Sequence, residues 1–370
     1  MFHLKSQILL EIICIFTKLI IGNQHCLKMA NIDKISIVTD NGEVAEAHAP
    51  IIVSASRSTD IPGFYADWFL HRLKVGYSAW TNPFNGVKSY VSYAKTKMVI
   101  FWSKNPQSLL KENGMIDYLN ERGIHCYIQY TLNDYVNDDL EKGVPSVEHR
   151  IATFKSLVNR LGVGKVIWRF DPLILTDTIS VDDLLSKIKN IGDQLKGYTE
   201  KLVFSFADIE SYRKVKSNLE HNNIKYRNFS EGEMLDFTRK LAALNKSWGY
   251  TLATCGEEID LGQYGVGHNK CVDDDLMIKF FSDDEILMNH LGVEVHTDLF
   301  TGETIVSKKK NNKDKGQRQL CGCIASKDIG EYNTCAHLCE YCYANTSKEI
   351  ALCNLEKHKA NPLSETITGK

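Results

Sequence analysis

The strongest constraint on the fold is a series of short apolar runs that alternates with segments of helical spacing between residues 51 and 254. The runs lie at residues 51–55, 77–80, 98–103, 125–131, 165–170, 201–206 and 250–254. They are rich in β-branched and aromatic residues and lack steady polar alternation, which is typical of strands buried on both faces. The pattern predicts an α/β fold with a parallel sheet. We favour a complete or partial TIM-type (β/α) barrel over a doubly wound open sheet.

Three of the intervening segments carry clear helix signals. The first has apolar residues at helical spacing, namely Val147, Ile151, Phe154, Val158 and Leu161. In the second, Ser180 stands as an N-cap before an apolar stripe. In the third, Ser230 and Glu233 have the spacing of a capping box. We predict an amphipathic helix in each segment.

The composition is that of a globular protein with a full-sized core. Of the 370 residues, 43% are hydrophobic and 24% are charged, which argues against disorder. The formal net charge of -2 gives no general attraction to nucleic acid or to anionic membranes, so any site for a polyanion has to be local.

The cysteines are concentrated near the C-terminus. Of the eleven in the chain, six lie in the last fifty residues, namely Cys321, Cys323, Cys335, Cys339, Cys342 and Cys353. Thiols clustered at ligand spacings indicate metal binding in a reducing compartment rather than a secreted disulfide framework. We therefore predict a cytoplasmic protein.

The chain divides into four predicted regions. Residues 1–30 are an N-terminal extension that we place outside the working protein, with a core-docked or interfacial helix as the alternative. Their apolar run at residues 8–22 is too short to span a bilayer and is interrupted by Glu11 and Lys18, so we expect no membrane association. Residues 31–300 form the barrel, 301–320 a basic linker and 321–370 a cysteine-rich iron–sulfur segment. A hairpin that turns at Thr301 and Gly302 is predicted at the boundary.

The cysteine triplet carries the strongest chemical signal. Cys335, Cys339 and Cys342 have C-x3-C-x2-C spacing. Three thiolates on a short loop can hold three irons of a [4Fe-4S] cluster and leave the fourth iron open to S-adenosylmethionine (SAM). Cys321 and Cys323 lie just upstream, and one of them could close the cluster. Zinc held by these two and two thiols of the triplet is a further alternative.

Charged residues follow three of the predicted strands. Arg57, Lys104 and the pair Arg169 and Asp171 stand where a barrel of this type binds its ligands. We predict that they hold SAM or the substrate. An ion pair of Arg169 with Asp171 that only braces the barrel rim is the alternative. No nucleophile and base stand at a recognisable spacing, so the sequence assigns no catalytic residue.

A basic run precedes the cysteine segment. It comprises Lys308, Lys309, Lys310, Lys313, Lys315 and Arg318. The run could contact a phosphate backbone, but a solvated linker is the commoner explanation of such a run. The absence of interleaved aromatic residues weakens the case for single-strand binding.

Several segments together resemble an uncharacterised bacterial family that is defined only as a domain of unknown function. They are residues 54–62, 102–106, 168–172 and the terminal cysteine segment. The C-terminal cysteine cluster of that family is similar to the one near the N-terminus of radical SAM enzymes. The resemblance extends from about residue 48 to the end and does not cover residues 1–28.

The resemblance implies that Cys335, Cys339 and Cys342 are the ligands of a [4Fe-4S] cluster. It also implies SAM as a partner of the cluster and a reductant such as flavodoxin or ferredoxin. The triplet follows the last β/α unit, whereas in ordinary radical SAM proteins it follows the first strand. The end of the triplet, Cys342-Tyr343-Ala344-Asn345, is also similar to radical SAM repair enzymes of the spore photoproduct lyase type, which motivates a nucleic-acid substrate as a hypothesis.

The expectation is an iron–sulfur enzyme of radical SAM type whose substrate the sequence does not identify. The alternative is a closed zinc or iron–sulfur module that stabilises the barrel or binds a partner such as nucleic acid, without SAM chemistry.

Overall fold

The computed structural model of the chain describes residues 33–82, 85–297, 304–309, 311–318 and 320–369. These residues form sixteen strands: β1 (Lys34–Val38), β2 (Val44–His48), β3 (Ile52–Ala55), β4 (Tyr77–Thr81), β5 (Lys88–Ser92), β6 (Met98–Ser103), β7 (His125–Thr131), β8 (Val166–Leu173), β9 (Leu175–Thr176), β10 (Lys201–Phe206), β11 (Tyr226–Arg227), β12 (Thr251–Thr254), β13 (Val266–His268), β14 (Val293–Thr297), β15 (Thr304–Lys308) and β16 (Lys327–Asp328).

The same residues form ten α-helices: α1 (Ile61–Phe64), α2 (Ala66–Val75), α3 (Met115–Glu121), α4 (Val147–Leu161), α5 (Val181–Leu195), α6 (Arg213–His221), α7 (Glu231–Asn245), α8 (Asp274–Phe281), α9 (Glu285–Leu291) and α10 (Lys348–Ala360). Among the described residues, no helix combines the length and the apolar character that crossing a bilayer requires.

The central element is an eight-stranded sheet of order β13-β12-β10-β8-β7-β6-β3-β16. Every neighbouring pair in it is parallel. From β3 to β13 the strands stand side by side in chain order, and the last strand, β16, returns to the outer side of β3. The predicted parallel α/β sheet is confirmed. Within the described ranges no ladder joins β13 to β16, so the sheet is not closed.

One predicted strand belongs elsewhere. The run at residues 77–80 is a strand, but it pairs antiparallel with β5 in a separate four-stranded sheet of order β1-β2-β5-β4. The connection to β5 is short, which allows a hairpin, whereas a parallel partner would need a crossover of about a dozen residues or more. Placing this run in the parallel sheet was therefore wrong.

The three predicted helices are confirmed as α4, α5 and α7. The Ser146 side chain caps α4 by accepting from the His149 N–H. Capping boxes begin the other two, from Ser180 with Asp183 and from Ser230 with Glu233. Each side chain satisfies backbone N–H groups that have no partner inside the helix.

Alternation along the strands produces a core on each face of the parallel sheet. One face packs against the surrounding helices. The other carries Ile52, Met98, Ile100, Tyr127, Ile167 and Val203. Met277 of α8, Leu287 of α9 and Ile324 cover these residues. At the carboxyl ends of the strands, this second face carries polar residues.

The C-terminal segment is part of the sheet. The predicted hairpin is confirmed as the antiparallel pair β14 and β15, while its predicted turn at Thr301 and Gly302 lies outside the described residues. After the hairpin, β16 pairs in parallel with β3, with Lys327 opposite Val53. The predicted N-terminal extension and Lys310 also lie outside the described residues.

Candidate functional site

The loop that carries the cysteine triplet lies on the carboxyl ends of the first strands of the parallel sheet. The Thr59 hydroxyl, which follows β3, is 2.7 Å from the Thr334 hydroxyl. The backbone of the triplet loop pairs with the segment after β7, where the Glu340 N–H donates to the Leu140 carbonyl at 3.0 Å. The triplet therefore stands where α/β proteins place their binding groups.

A buried ion pair holds the centre of the loop. Lys104 follows β6, and its Nζ donates to Glu141 Oε1 at 2.7 Å and to the Tyr341 hydroxyl at 2.8 Å. Asn133 Nδ2 also donates to the Tyr341 hydroxyl, at 3.0 Å. Burial acts to raise the pKa of Glu141, but the charges of Lys104 and Arg150 lower it to about 2. The Glu141 side chain is 0% exposed, so it is a buried carboxylate whose charge is compensated.

A second buried contact holds the start of the loop. His337 Nε2 lies 2.6 Å from Asp60 Oδ2. The Asp60 side chain also caps α1 by accepting from the Gly63 N–H. Burial acts to raise the pKa of Asp60, but the charge and hydrogen bond of His337 lower it below its ordinary value. His337, which the sequence analysis did not single out, therefore anchors the triplet loop.

The three thiols of the triplet lie close enough to influence each other. Ionisation of Cys335 is disfavoured by Cys342, and ionisation of Cys339 is disfavoured by both. Burial raises the pKa of Cys335 to about 12 and also raises those of Cys339 and Cys342. A metal bound there has to displace thiol protons.

Backbone N–H groups point at the outer two sulfurs of the triplet. Those of Ala344 and Asn345 donate to the Cys342 sulfur, and that of His337 donates to the Cys335 sulfur. Hydrogen bonds to the sulfurs are one of the means by which proteins tune iron–sulfur clusters.

Arg57 lies beside the triplet loop. Its guanidinium carbon is 5.0 Å from the centre of the Trp102 ring, and its carbonyl accepts from the Tyr343 hydroxyl. Among the described residues, the buried Nη2 atom has no hydrogen-bond partner. Burial acts to lower the pKa of Arg57, but Asp328 and then Cys323 raise it. Arg57 thus keeps its charge and has a free donor.

Arg169 and Asp171 form the ion pair that the sequence offered as an alternative. Arg169 Nη1 also donates to Gln129 Oε1 at 3.1 Å and to Cys271 Sγ at 3.1 Å. Asp171 accepts from the Ser205 hydroxyl as well. Both side chains thus have protein partners and face a second group of thiols.

That second group comprises Cys255, Cys271, Cys321 and Cys323. Cys255 Sγ lies 3.7 Å from Cys271 Sγ, and the Cys323 sulfur contacts the thiols of Cys271 and Cys321. The hydrogen bond from Cys323 lowers the pKa of Cys321 to about 7. The structure therefore groups Cys321 and Cys323 with two thiols that sequence reasoning missed. Cys255 and Cys271 have no ligand spacing in the chain, although the position of Cys255 directly after β12 was a signal.

The basic run is partly neutralised. Lys308 pairs with Asp274, and Lys309 Nζ lies 2.5 Å from Glu294 Oε1. Arg318 donates to the Cys255 carbonyl at 3.3 Å. These three cations of the run contact protein groups, which favours the linker interpretation for them.

Comparison with protein-family models gives a match to most of the chain. Residues 52–344 match a family model described as Domain of unknown function (DUF1848). No curated protein and no solved structure matches the chain. The matched range begins at β3, contains the whole parallel sheet and ends two residues beyond Cys342.

Proposed function

Because the chain belongs to the DUF1848 family, whose matched range includes the cysteine triplet, we propose that it is an iron–sulfur enzyme of the radical SAM type. Cys335, Cys339 and Cys342 would hold a [4Fe-4S] cluster. Such a cluster, when bound and reduced, would supply the electron that cleaves the sulfonium carbon–sulfur bond of SAM to methionine and a 5'-deoxyadenosyl radical. The residues around the triplet would bind, orient and shield the reacting molecules.

The observation that carries the proposal is the position of the triplet loop on the carboxyl ends of β3, β6 and β7. It is anchored there from two sides, by Asp60 to His337 and by Lys104 to Tyr341. A triplet that comes late in the chain can therefore lie at the same end of the sheet as a triplet that follows the first strand. The functional interpretation follows from this placement together with the spacing of the thiols.

The donor set suits a cluster with an open iron. Three thiols lie close together, and two of them accept backbone N–H groups. In the part of the chain that the structure describes, the sulfur contacts of Cys321 and Cys323 go to each other and to Cys271. This arrangement favours three protein ligands over a closed set of four.

Two of the predicted binding residues take different roles in the proposal. Arg57 would bind a carboxylate of SAM or of the substrate, because its buried Nη2 lacks a partner in the described part of the chain and a guanidinium matches a carboxylate fork. Lys104 would be a positioning residue, because its Nζ contacts Glu141 and Tyr341. It acts on the triplet loop through Tyr341.

We extend the proposal to the architecture and the setting. An ordered set of parallel strands, with the last strand beside the first, is the order of a TIM-type barrel, so we take the sheet to be a barrel that opens between β13 and β16. The electron donor would be a flavodoxin or ferredoxin, and the compartment the reducing cytoplasm. Nucleic acid is one substrate class to test.

The test is electron paramagnetic resonance of anaerobically reconstituted, dithionite-reduced protein with and without SAM. We expect a [4Fe-4S] signal that shifts when SAM is added. Alanine at Cys335, Cys339 or Cys342 should abolish that signal. Alanine at Cys353, an exposed thiol of α10, is the matched control and should leave it intact. A wild-type signal that SAM does not change, or a triplet variant that keeps a SAM-responsive cluster, would refute the proposal.

The closed alternative makes the opposite prediction for the upstream thiols. If Cys321 or Cys323 completes the cluster, its replacement by alanine removes the signal. If the cluster is open, the SAM-responsive signal survives in both variants. Replacing Arg57 by glutamine should weaken SAM or substrate binding without loss of iron, and equal binding by wild type and variant would exclude a role for Arg57.

A further inference from the structure

Four cysteines outside the triplet form a row of neighbouring sulfurs. Cys255 directly follows β12, Cys271 lies three residues beyond β13, and Cys321 and Cys323 precede β16. Cys255 Sγ lies 3.7 Å from Cys271 Sγ. The Cys323 sulfur contacts Cys271 on one side and Cys321 on the other. All four are free thiols, and each one meets its neighbours in pairs.

We propose that Cys255, Cys271, Cys321 and Cys323 form a thiol–disulfide exchange site for a small disulfide that carries carboxylate groups. The site would reduce that disulfide and become oxidised to a Cys255–Cys271 disulfide. Exchange proceeds by the attack of one sulfur on the next, so it needs only pairwise contacts. A disulfide bond is about 2.05 Å long, so the sulfurs of Cys255 and Cys271 have to approach by less than about 2 Å.

The two ends of the row are more open than its middle. Cys321 and Cys255, at the ends, are half-buried. The middle residues Cys271 and Cys323 are 6% and 2% exposed. A disulfide from solution can therefore reach an end of the row, while the middle sulfurs exchange with their neighbours.

Cys321 is the end that suits the first attack, because the nucleophile in exchange is a thiolate. The hydrogen bond from Cys323 lowers the pKa of Cys321 to about 7. The hydrogen bond with Cys271 and burial raise the pKa of Cys255. An attacking thiol is most effective when its pKa lies near the ambient pH. The incoming disulfide therefore reacts at Cys321.

Nitrogen donors surround the two middle sulfurs. The backbone N–H groups of Cys271 and Val272 donate to Cys323 Sγ at 3.1 and 3.4 Å. Asn269 Nδ2 and Arg169 Nη1 donate to Cys271 Sγ at 3.3 and 3.1 Å. Exchange along a row requires each middle sulfur to attack and to leave as a thiolate, and a thiolate accepts hydrogen bonds more strongly than a thiol. These donors therefore stabilise the states through which the disulfide moves.

Arg318 gives the class of the incoming disulfide. Its side chain is exposed and donates to the Cys255 carbonyl at 3.3 Å. Ionisation of Cys255 or Cys321 would stabilise its charge, so the guanidinium lies near both ends of the row. Glu257 is also near, but burial raises its pKa to about 7. A guanidinium pairs with carboxylates, so the entrance favours an anionic disulfide over a cationic one.

The exchange balances as a series of sulfur attacks. The Cys321 thiolate attacks the incoming disulfide, whose S–S bond breaks, and the first small thiolate leaves. Cys323 then displaces the second small thiolate from Cys321. Cys271 displaces Cys321 from Cys323, and finally Cys255 displaces Cys323 from Cys271. The protons of Cys255 and Cys271 end on the two small thiols. One disulfide gains two electrons, and the Cys255–Cys271 pair loses them.

The first experiment treats the reduced full-length protein with glutathione disulfide, an anionic probe, under anaerobic conditions. Iodoacetamide then blocks the remaining thiols, and mass spectrometry maps the tryptic peptides. Trypsin places Cys255 on residues 247–270, Cys271 on residues 271–279 and the other two thiols on residues 319–327. We expect glutathione first on the peptide 319–327. At equilibrium the peptides 247–270 and 271–279 should be joined, and an excess of reduced glutathione should separate them.

Serine variants test the order of the row. Cys271→Ser should stop the oxidation at a disulfide between Cys321 and Cys323. Cys321→Ser should slow the oxidation of Cys255 roughly 10-fold or more, because the thiols that remain ionise less readily. Cys126→Ser, which changes a buried thiol of β7, is the matched control and should react like wild type.

A further variant tests the substrate class. Arg318→Gln should slow the reaction with glutathione disulfide by about two- to five-fold, the effect of one exposed ion pair. It should not slow the reaction with cystamine, a cationic disulfide. The control is Lys309→Gln, because Lys309 pairs with Glu294. Equal slowing with both disulfides would overturn the role of Arg318.

The time course on the wild-type chain decides the proposal even if the variants do not fold. Cys255 and Cys271 that stay open to alkylation at equilibrium with glutathione disulfide would overturn it. So would glutathione that appears first on the peptide 247–270, or a Cys321→Ser variant that is oxidised as fast as wild type.

This proposal and the iron–sulfur proposal can fail separately. Alanine at a cysteine of the triplet should remove the SAM-responsive signal and leave the joining of the peptides 247–270 and 271–279 unchanged. Cys271→Ser should prevent that joining and leave the SAM-responsive signal intact. A row that no longer forms the Cys255–Cys271 disulfide in the triplet variants would overturn the independent exchange site.

Discussion

Lys104 shows how a single cation can organise this face of the protein. Its ammonium group bridges Glu141, which is buried, and Tyr341, which lies between two thiols of the triplet. Tyr341 also donates to Glu141. Burying a carboxylate without a neighbouring cation costs free energy. Because Lys104 contacts both Glu141 and Tyr341, the ion pair and the orientation of Tyr341 depend on each other.

Replacing Lys104 by methionine should lower the free energy of unfolding by about 3 kcal/mol, because it leaves the buried Glu141 carboxylate with Arg150 as its remaining cation. Urea denaturation under anaerobic conditions measures this change. The control is methionine at Lys111, whose ion pair with Asp67 is exposed and should contribute less than about 1 kcal/mol. Equal effects of the two substitutions would contradict the role assigned to Lys104.

Lys327 gives the fold a pH dependence. It is 5% exposed, and its Nζ lies 3.7 Å from the centre of the Trp80 ring. Burial lowers the pKa of Lys327 to about 8, and the Asp328 charge acts in the opposite direction. Between that value and the ordinary lysine pKa, the unfolded chain binds more protons than the folded chain. The free energy of unfolding should therefore rise with pH in this window.

The slope assigned to Lys327 is at most about 1.4 kcal/mol per pH unit between pH 8 and pH 10. Methionine at this position fills similar space and cannot titrate, so the slope should fall in the variant by that amount. Urea denaturation of both proteins at pH 8, 9 and 10, with reductant present, measures the difference. Parallel pH curves for wild type and variant would show that Lys327 is charged in the fold.

At the scale of elements, the triplet loop packs tightly against the segment that follows β7. A Cβ atom on Gly143 would lie 2.7 Å from the carbonyl oxygens of Ala336 and His337. The Gly143 N–H also donates to the His337 carbonyl at 2.9 Å. The close approach of two backbones requires a residue without a side chain at this position.

Alanine at Gly143 should push the triplet loop away and destabilise the protein by about 1–3 kcal/mol. It should also lower the iron retained after reconstitution. The control is alanine at Gly232 of α7, where a Cβ atom would meet no described atom within 4 Å apart from its chain neighbours and the backbone of its own helix. That change should raise stability by up to about 1 kcal/mol and leave the iron content unchanged. Normal stability and iron content in the Gly143 variant would disprove the tight packing.

At the scale of the whole molecule, the C-terminal segment belongs to the core. It adds β16 to the parallel sheet and buries Ile324, Ile329, Tyr341 and Ile367. Each such side chain contributes about 1.5–3 kcal/mol, and whole domains are stable by only about 5–15 kcal/mol. The burial of these side chains therefore contributes enough free energy to decide whether the fold forms.

A chain that ends at Leu320 should lack a cooperative unfolding transition, because the sheet loses an edge strand and the core loses buried side chains that include Ile324, Ile329, Tyr341 and Ile367. Near-ultraviolet circular dichroism and calorimetry measure the loss. A chain that begins at Met29 is the control and should unfold like the full-length protein, which also tests the predicted extension. A cooperative transition in the chain that ends at Leu320 would show that the cysteine segment is an independent module.

Local patterns were sufficient for much of the fold. The apolar runs identified the strands of the parallel sheet up to β12, and the capping residues at Ser180 and Ser230 identified the starts of α5 and α7. These signals involve only a few neighbouring residues, so they can be recognised without knowledge of the rest of the chain. The run at residues 77–80 was placed in the wrong sheet, because the choice of a partner strand depends on the connection that follows.

The candidate site likewise has one part that the sequence identifies and another that it does not. The spacing of Cys335, Cys339 and Cys342 is a local property, and the sequence alone identified them as a group. Cys255 and Cys271 were missed because fifteen residues separate them and no ligand spacing links them to Cys321 or Cys323. The anchoring role of His337 was missed for the same reason, since Asp60 lies at the other end of the chain.

The parallel α/β sheet and the thiol triplet near the C-terminus can be inferred from the amino-acid sequence, because periodicity and short spacings are encoded by neighbouring residues. Three further features follow only from the folded chain: which thiols meet, which strand end each charged residue faces, and the return of the last strand to the side of the first. Those facts depend on the packing of residues that are hundreds of positions apart, and the free energy that brings them together is spread over the whole core.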